Sequence, residues 1–206
     1  MSANKITVSI TTLGCARNEV DTEELAGKLS AAGWELVSDP AEAQVAVINT
    51  CGFIESAKKD SVDALLEANS LKRNGKTKAV VAVGCMAERY GEELAKALPE
   101  ADGILGFDDY KEISNRLTTI LNGGKVAPPK SQDRRDLLPI SPVARQQGKP
   151  SEKFARKRLT GGSLAPLKIA SGCDRKCAFC AIPQFRGVFV SRRPTEIIDE
   201  AKWLAE

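Results

Sequence analysis

The chain has 206 residues, 42% hydrophobic and 28% charged, with a formal net charge of +3. That is the profile of a soluble globular protein of one or two domains. It contains six cysteines and no histidine, which excludes His-based triads and His-containing metal sites, and no run approaches the roughly 18 apolar residues of a membrane span.

The first residues, Met1 to Lys5, lead straight into an apolar, strand-like run. They lack the basic start, long apolar segment and small-residue cleavage site of a signal peptide, so a cytoplasmic location without membrane contact is expected. Cytoplasmic thiols stay reduced, so the six cysteines are expected as ligands, catalysts or core residues rather than disulfides.

Strand and helix signals then alternate through residue 121. Ile6–Leu13 is a β-branched run, and Glu19–Ala31 places Val20, Leu25 and Leu29 on one helical face. A short strand is expected at Trp34–Val37 and a buried one at Val45–Ile48. Glu55–Arg73 forms a long amphipathic helix, with Ala57, Ser61, Ala64, Leu65 and Ala68 on one side. Ala79–Val83 is a further buried strand, followed by helices at Ala87–Leu98 and Tyr110–Leu121 around a strand at Gly103–Leu105. Apolar strands alternating with helices predict an α/β fold, an open parallel sheet covered by helices on both faces.

Residues 122–165 break this pattern with Gly123, Gly124, Pro128, Pro129, Pro139, Pro142 and Pro150. The segment is too long for an ordinary loop and reads as a basic interdomain linker. Charge is divided accordingly: residues 1–121 carry 13 Lys and Arg against 19 Asp and Glu, and residues 122–206 carry 17 against 8. Two readings of the basic half stay open, a solubilising linker and a surface facing an acidic partner such as ribosomal RNA. A strand restarts at Leu167–Ala170, a cysteine-rich loop follows, and Pro194–Glu206 begins a helix with Ile197, Ile198, Ala201 and Leu204 on one side. The expected division is therefore 1–121, 122–165 and 166–206.

The cysteines form two sets. Cys173, Cys177 and Cys180 lie within eight residues directly after a strand. Short cysteine spacing lets one loop wrap a four-iron cubane cluster, and three thiolates leave one iron open to a cofactor or substrate. Phe179, just before the last cysteine, is expected to shield such a cluster and its bound cofactor from water. The pair Cys177 and Cys180 alone would also suit a dithiol redox motif or half a zinc site, but zinc wants four ligands and no histidine is available.

Cys15, Cys51 and Cys85 are far apart in sequence, yet each follows a predicted strand. In a parallel sheet the carboxyl ends of the strands share one edge, so three strand ends can gather three thiolates for a second cluster. Gly14, Gly52 and Gly84 beside them allow close backbone approach. The alternative is three ordinary core cysteines.

The two sets together resemble the methylthiotransferase branch of the radical S-adenosylmethionine (SAM) superfamily. The resemblance rests on Leu13-Gly14-Cys15 with Asn18 and Asp21, on Asn49-Thr50-Cys51-Gly52-Phe53-Ile54, and on Val83-Gly84-Cys85-Met86. Within that branch, Glu55-Ser56-Ala57, Lys168 to Cys173, and Cys180-Ala181-Ile182-Pro183 with Arg186 and Gly187 are most similar to the enzymes that modify ribosomal protein uS12. The resemblance covers residues 6–121 and 167–206.

It implies two 4Fe-4S clusters. The cluster at Cys173, Cys177 and Cys180 would bind SAM, and reduction by a donor such as flavodoxin would yield a 5′-deoxyadenosyl radical. That radical would abstract hydrogen from the β-carbon of an aspartate of uS12. Sulfur delivered at the cluster of Cys15, Cys51 and Cys85 would add there, with a methyl group from a second SAM. The resemblance further implies that residues 166–206 are only the first βα unit of a partial barrel, so the chain is expected to be an N-terminal fragment that does not complete the reaction alone. The alternatives are a tRNA adenosine methylthiotransferase and a stand-alone iron–sulfur carrier or electron-transfer module.

Overall fold

The computed structural model describes residues 5–130, 133–134 and 156–206. Five strands form one sheet: β1 Thr7–Thr12, β2 Glu35–Leu36, β3 Val45–Thr50, β4 Ala79–Val83 and β5 Gly103–Ile104. Their order is β2-β1-β3-β4-β5, every pair parallel. Four helices cover it: α1 Ala16–Ala31, α2 Glu55–Asn74, α3 Gly84–Ala97 and α4 Ile113–Leu121. This is the α/β sheet expected from the sequence.

The side-chain alternation of the central strands explains the two covered faces. Val45, Val47, Val81 and Val83 pack with Leu25 and Leu29 of α1 and Ile113, Leu117 and Ile120 of α4. Their neighbours Ala46, Ile48, Val80 and Ala82 pack with Leu65 and Ala68 of α2 and Met86 and Leu94 of α3. A strand apolar at every position must be buried on both sides, and β3 and β4 are buried throughout. Among the described residues no helix is long and apolar enough to cross a membrane.

Two helices start earlier than the periodicity predicts. Helix α1 begins at Ala16 rather than Glu19, because the Cys15 carbonyl accepts from Asn18 N at 2.8 Å and Glu19 N at 3.3 Å. Helix α3 begins at Gly84 rather than Ala87, which places Cys85 in its first turn. Gly84 makes the strand-to-helix corner with φ +90°, and a Cβ there would lie 2.1 Å from Asn49 Oδ1 and 2.7 Å from the Thr50 carbonyl. Only glycine fits both constraints. Gly84→Ala is expected to destabilise the chain by at least about 1–3 kcal/mol, read as a lower urea midpoint; an unchanged midpoint would contradict this corner.

The segment expected as one helix at Tyr110–Leu121 opens with a 3-10 helix at Phe107–Glu112 before α4. The strand expected at Leu167–Ala170 is displaced and shorter. It is β6 Ala170–Ser171, paired antiparallel with β7 Val190–Ser191. Between them lie the cysteine loop and the short helix α5 Ile182–Arg186, and helix α6 Pro194–Ala205 follows β7.

Most of the basic segment, including Pro139, Pro142 and Pro150, lies outside the described residues. Two of its arginines are not solvated. Arg134 pairs with the buried Glu88 and, at 2.5 Å, with Asp108. Arg156 is buried between Glu23 of α1 and Glu200 of α6.

Candidate metal centre at the sheet edge

In a strand order β2-β1-β3-β4-β5 the direction of winding switches between β1 and β3, which opens a crevice outside their carboxyl ends. Cys15 stands three residues beyond β1, Cys51 one beyond β3 and Cys85 two beyond β4. The three cysteines are therefore set around one crevice by the topology alone. Cys51 and Cys85 are buried, and Cys15 is exposed.

Glycines permit the approach. Gly14 adopts φ +97°, and a Cβ on it would lie 2.9 Å from Cys51 Sγ. The backbone preceding Cys15 thus rests against the Cys51 thiol, and any larger residue would fill that space. Among the described residues no three Cys, Asp or Glu side chains already stand together at metal-ligand distance. To complete a three-thiolate set, Cys15 has to turn inward from its exposed position.

A buried amide ties the strand ends together. Asn18 Nδ2 donates to the Leu13 carbonyl at 2.8 Å and the Thr50 carbonyl at 3.2 Å, bridging the ends of β1 and β3. Its Oδ1 accepts from Cys85 Sγ at 3.4 Å. Asn49 Nδ2 donates back to the Asn18 carbonyl at 3.0 Å, and Thr50 Oγ1 donates to the Val83 carbonyl at 2.6 Å. The backbone N–H of Cys51 donates to Ser61 Oγ at 3.0 Å, which fixes that cysteine against α2.

Helix ends and burial act in opposite directions on the sulfur at this edge. Cys15 occupies the N-cap of α1 and Cys85 the first turn of α3, both at the positive ends of helix dipoles. Burial pushes the Cys85 thiol up, and the neighbouring Arg186 guanidinium opposes that rise. Tyr110, buried beneath, is raised well above the ordinary phenol value by its burial.

The second set of cysteines encloses a cavity of about 650 Å³, lined among others by Cys173, Asp174, Cys177, Cys180, Pro183 and Val188. The Cys173 N–H donates to the Gly187 carbonyl at 3.1 Å, and the Cys180 N–H to the Cys177 carbonyl at 3.2 Å. The Phe189 N–H donates to Asp174 Oδ1 at 2.8 Å, closing the loop on β7. Gly172 turns the chain into this loop with φ +74°, where a Cβ would meet the Val188 carbonyl at 1.8 Å. Phe179 projects outward at 88% exposure and does not line the cavity.

This loop is bound to the sheet by buried side chains whose pairings the sequence did not show. Phe185 of α5 enters the core beside Cys85, Phe107 and Tyr110. Lys168 Nζ donates to Asp21 Oδ1 at 2.7 Å and Glu24 Oε1 at 3.0 Å. Arg156 bridges Glu23 and Glu200, and Glu200 also pairs with Arg192. Burial alone would raise the Asp21 carboxyl, but the charges of Arg186 and Lys168 outweigh it and hold it down at about 2. Glu24, with a smaller share of cation, is raised by its burial. Asn18, Asp21, Lys168 and Arg186 all fall within the motifs that carried the resemblance, and their contacts give those motif positions a physical reason.

The family model described as "Uncharacterized protein family UPF0004" matches residues 7–106, the sheet with its first three cysteines. Proteins called "Ribosomal protein uS12 methylthiotransferase RimO" match along nearly the whole chain. That of Streptomyces coelicolor is 61% identical over 97% of this chain, that of Cutibacterium acnes 55% over 98%, and that of Kineococcus radiotolerans 54% over 100%. The chain spans about 45% of the length of these relatives. The family model thus covers the sheet, and over nearly its whole length, both cysteine sets included, the chain is similar to these relatives named as uS12 methylthiotransferases.

Proposed function

We propose that this chain belongs to a radical SAM methylthiotransferase that adds a methylthio group to the β-carbon of an aspartate of ribosomal protein uS12. Within it, residues 1–121 would form the domain of one 4Fe-4S cluster, residues 122–165 a connecting basic segment, and residues 166–206 the start of the SAM-binding domain. The observation that supports this reading is that Cys15, Cys51 and Cys85 follow the carboxyl ends of β1, β3 and β4, while Cys173, Cys177 and Cys180 line a cavity of their own.

The residues fit such groups. Thiolates are the ligands iron–sulfur clusters take, and each set supplies three, leaving one iron free. Gly14 leaves beside Cys51 a space that any side chain would fill. Cys15, Cys51 and Cys85 would hold the auxiliary cluster, and Cys173, Cys177 and Cys180 the one that binds SAM. When bound, these groups supply the radical chemistry that acid–base groups cannot perform on an unactivated C–H bond.

The chain's own residues bind, orient and exclude water. Lys168, Arg156 and Arg186 fix the second loop against the first crevice, so the distance between the two sites is set by buried ion pairs rather than by a flexible tether. Phe179, which projects outward beside Cys180, would have to turn toward the cavity to shield a bound cofactor, and is otherwise free to meet the incoming protein. The remaining partners proposed are ribosomal RNA for the basic segment and a reduced donor such as flavodoxin for the loop of Cys173, in the cytoplasm.

The decisive experiment is intact-mass analysis of uS12 and of bulk tRNA from cells with and without the gene. Loss of the methylthio increment from uS12 alone is expected. Loss from tRNA adenosine instead would transfer the activity to the tRNA branch, and no loss from either would leave an iron–sulfur carrier.

A further inference from the structure

Arg186 follows the second cysteine triplet in sequence, yet its guanidinium is buried against a cysteine of the first. Nη2 donates to Cys85 Sγ at 2.9 Å and to Asn18 Oδ1 at 2.9 Å. Nη1 stands 2.7 Å from Asp21 Oδ2, and the guanidinium carbon lies 4.6 Å from the centre of the Phe107 ring. The residue is 7% exposed. One planar fork thus reaches a thiol, an amide and a carboxylate while stacking on an aromatic face, a set of directions that the point charge of a lysine does not supply.

The neighbours of this group are structural in a way Arg186 is not. Lys168, Arg156 and Arg192 meet carboxylates and backbone carbonyls. Arg186 also touches a cysteine. Asp21 and Glu24 together supply two carboxylates for the two cations Arg186 and Lys168, so the contact to sulfur is additional to charge balance.

We propose that Arg186 is a positioning residue for the Cys85 sulfur: it fixes the direction of the thiolate and withdraws charge from it, so the crevice of Cys15, Cys51 and Cys85 is complete only when the segment bearing the other triplet is docked. The proposal rests on the reading that those three cysteines hold an iron–sulfur cluster. A thiolate that accepts an N–H bond gives less charge to iron, and a fixed positive charge nearby favours the more negative reduced state. Both effects raise the reduction potential, since hydrogen bonds to the sulfurs and local charge are among its main determinants. The first site is thereby tuned by a residue of the second.

The test uses the full chain with Cys173, Cys177 and Cys180 changed to Ala, so that only the first triplet can bind a cluster. It is reconstituted anaerobically with ferrous iron and sulfide, and its midpoint potential is followed by electron paramagnetic resonance. Arg186→Met is expected to shift the reduction equilibrium toward the oxidised form at least tenfold, about 59 mV for a one-electron couple. Arg186→Lys keeps the charge but not the fork, and is expected to shift it less, in the same direction. Arg156→Lys weakens the anchorage of the same segment without touching Cys85, and is expected to leave the potential where it was.

An unchanged potential in Arg186→Met overturns the proposal. Should that variant not fold by circular dichroism, Arg186→Lys decides alone, and a potential equal to that of the unsubstituted background overturns it. An equal shift in Arg156→Lys also overturns it, since docking rather than the contact to sulfur would then set the potential. A background chain that takes up no iron overturns the cluster reading itself, and with it this proposal.

Discussion

Anaerobic reconstitution of the chain is expected to load about eight iron atoms, and changing Cys173, Cys177 and Cys180 together to Ala is expected to remove about half of them. The geometry separates two sites rather than one shared by six cysteines. Cys51 and Cys85 are buried in a crevice whose walls are the ends of β3 and β4. Cys173, Cys177 and Cys180 enclose their own cavity, closed by backbone bonds within the loop and to Gly187. Between the two sets stand Arg186, Asn18 and Phe185. The two sites also differ in protection. Each set has one exposed cysteine, Cys15 and Cys177, but Cys51 and Cys85 of the first set are buried whereas Cys173 and Cys180 of the second are only half-buried. A chelator is therefore expected to strip iron from the second site first, leaving a species that keeps about four iron atoms. Zinc in place of iron, or loss of all iron in the triple variant, would contradict this assignment.

Arg156→Met is expected to lower the stability of the chain by about 3–5 kcal/mol, because it leaves carboxylates buried without their cation. Arg156 Nε donates to Glu23 Oε2 at 2.7 Å and Nη2 to the Pro166 carbonyl at 2.9 Å, while Nη1 meets Glu200 Oε1. Glu23 is 5% exposed and Glu200 3%. Arg192 still faces Glu200 in the variant, so the larger share of the loss comes from Glu23. The double change Glu23→Gln with Arg156→Met removes the stranded charge and is expected to recover much of the loss, as replacing a whole buried pair is far milder than breaking one. Urea unfolding followed by circular dichroism distinguishes the two. Equal stability of the single variant and the unsubstituted chain would show that this junction is open to water.

The docked state of the second loop has a functional consequence. Asp21, Glu23 and Glu24 of α1 take Arg186, Arg156 and Lys168 respectively, with Asp21 also shared by Lys168. One short stretch of helix thus receives three cations from the C-terminal half of the chain. The same helix begins at Cys15. Movement of the second loop would therefore be felt at the first crevice through α1 as well as through Arg186.

The sequence by itself determined the five-stranded sheet and the order of its helices, though not their starts, and it set Cys15, Cys51 and Cys85 just after strands. A strand buried on both faces needs a continuous apolar run, and Val45–Ile48 and Ala79–Val83 are such runs; an amphipathic helix needs its 3.6-residue period, and Glu55–Arg73 has it. The cysteines could be placed for the same local reason, since each of Cys15, Cys51 and Cys85 directly follows a strand signal, and strand ends share an edge in a parallel sheet. The tertiary structure decided what lies between the two sets. The partners of Asp21, Glu23 and Glu24 were not legible, because a single helix shows only which face is polar and not what covers it. Their partners lie 133 to 147 residues away for Arg156 and Lys168, and no local pattern encodes a pairing at that separation. Arg156 likewise stood in a basic stretch with no visible partner, and Arg186 was legible only as a motif residue after the last cysteine, not by what it touches. A buried charge is tolerated only where its partner is already positioned, so these residues acquire their roles only once the chain has folded back on α1.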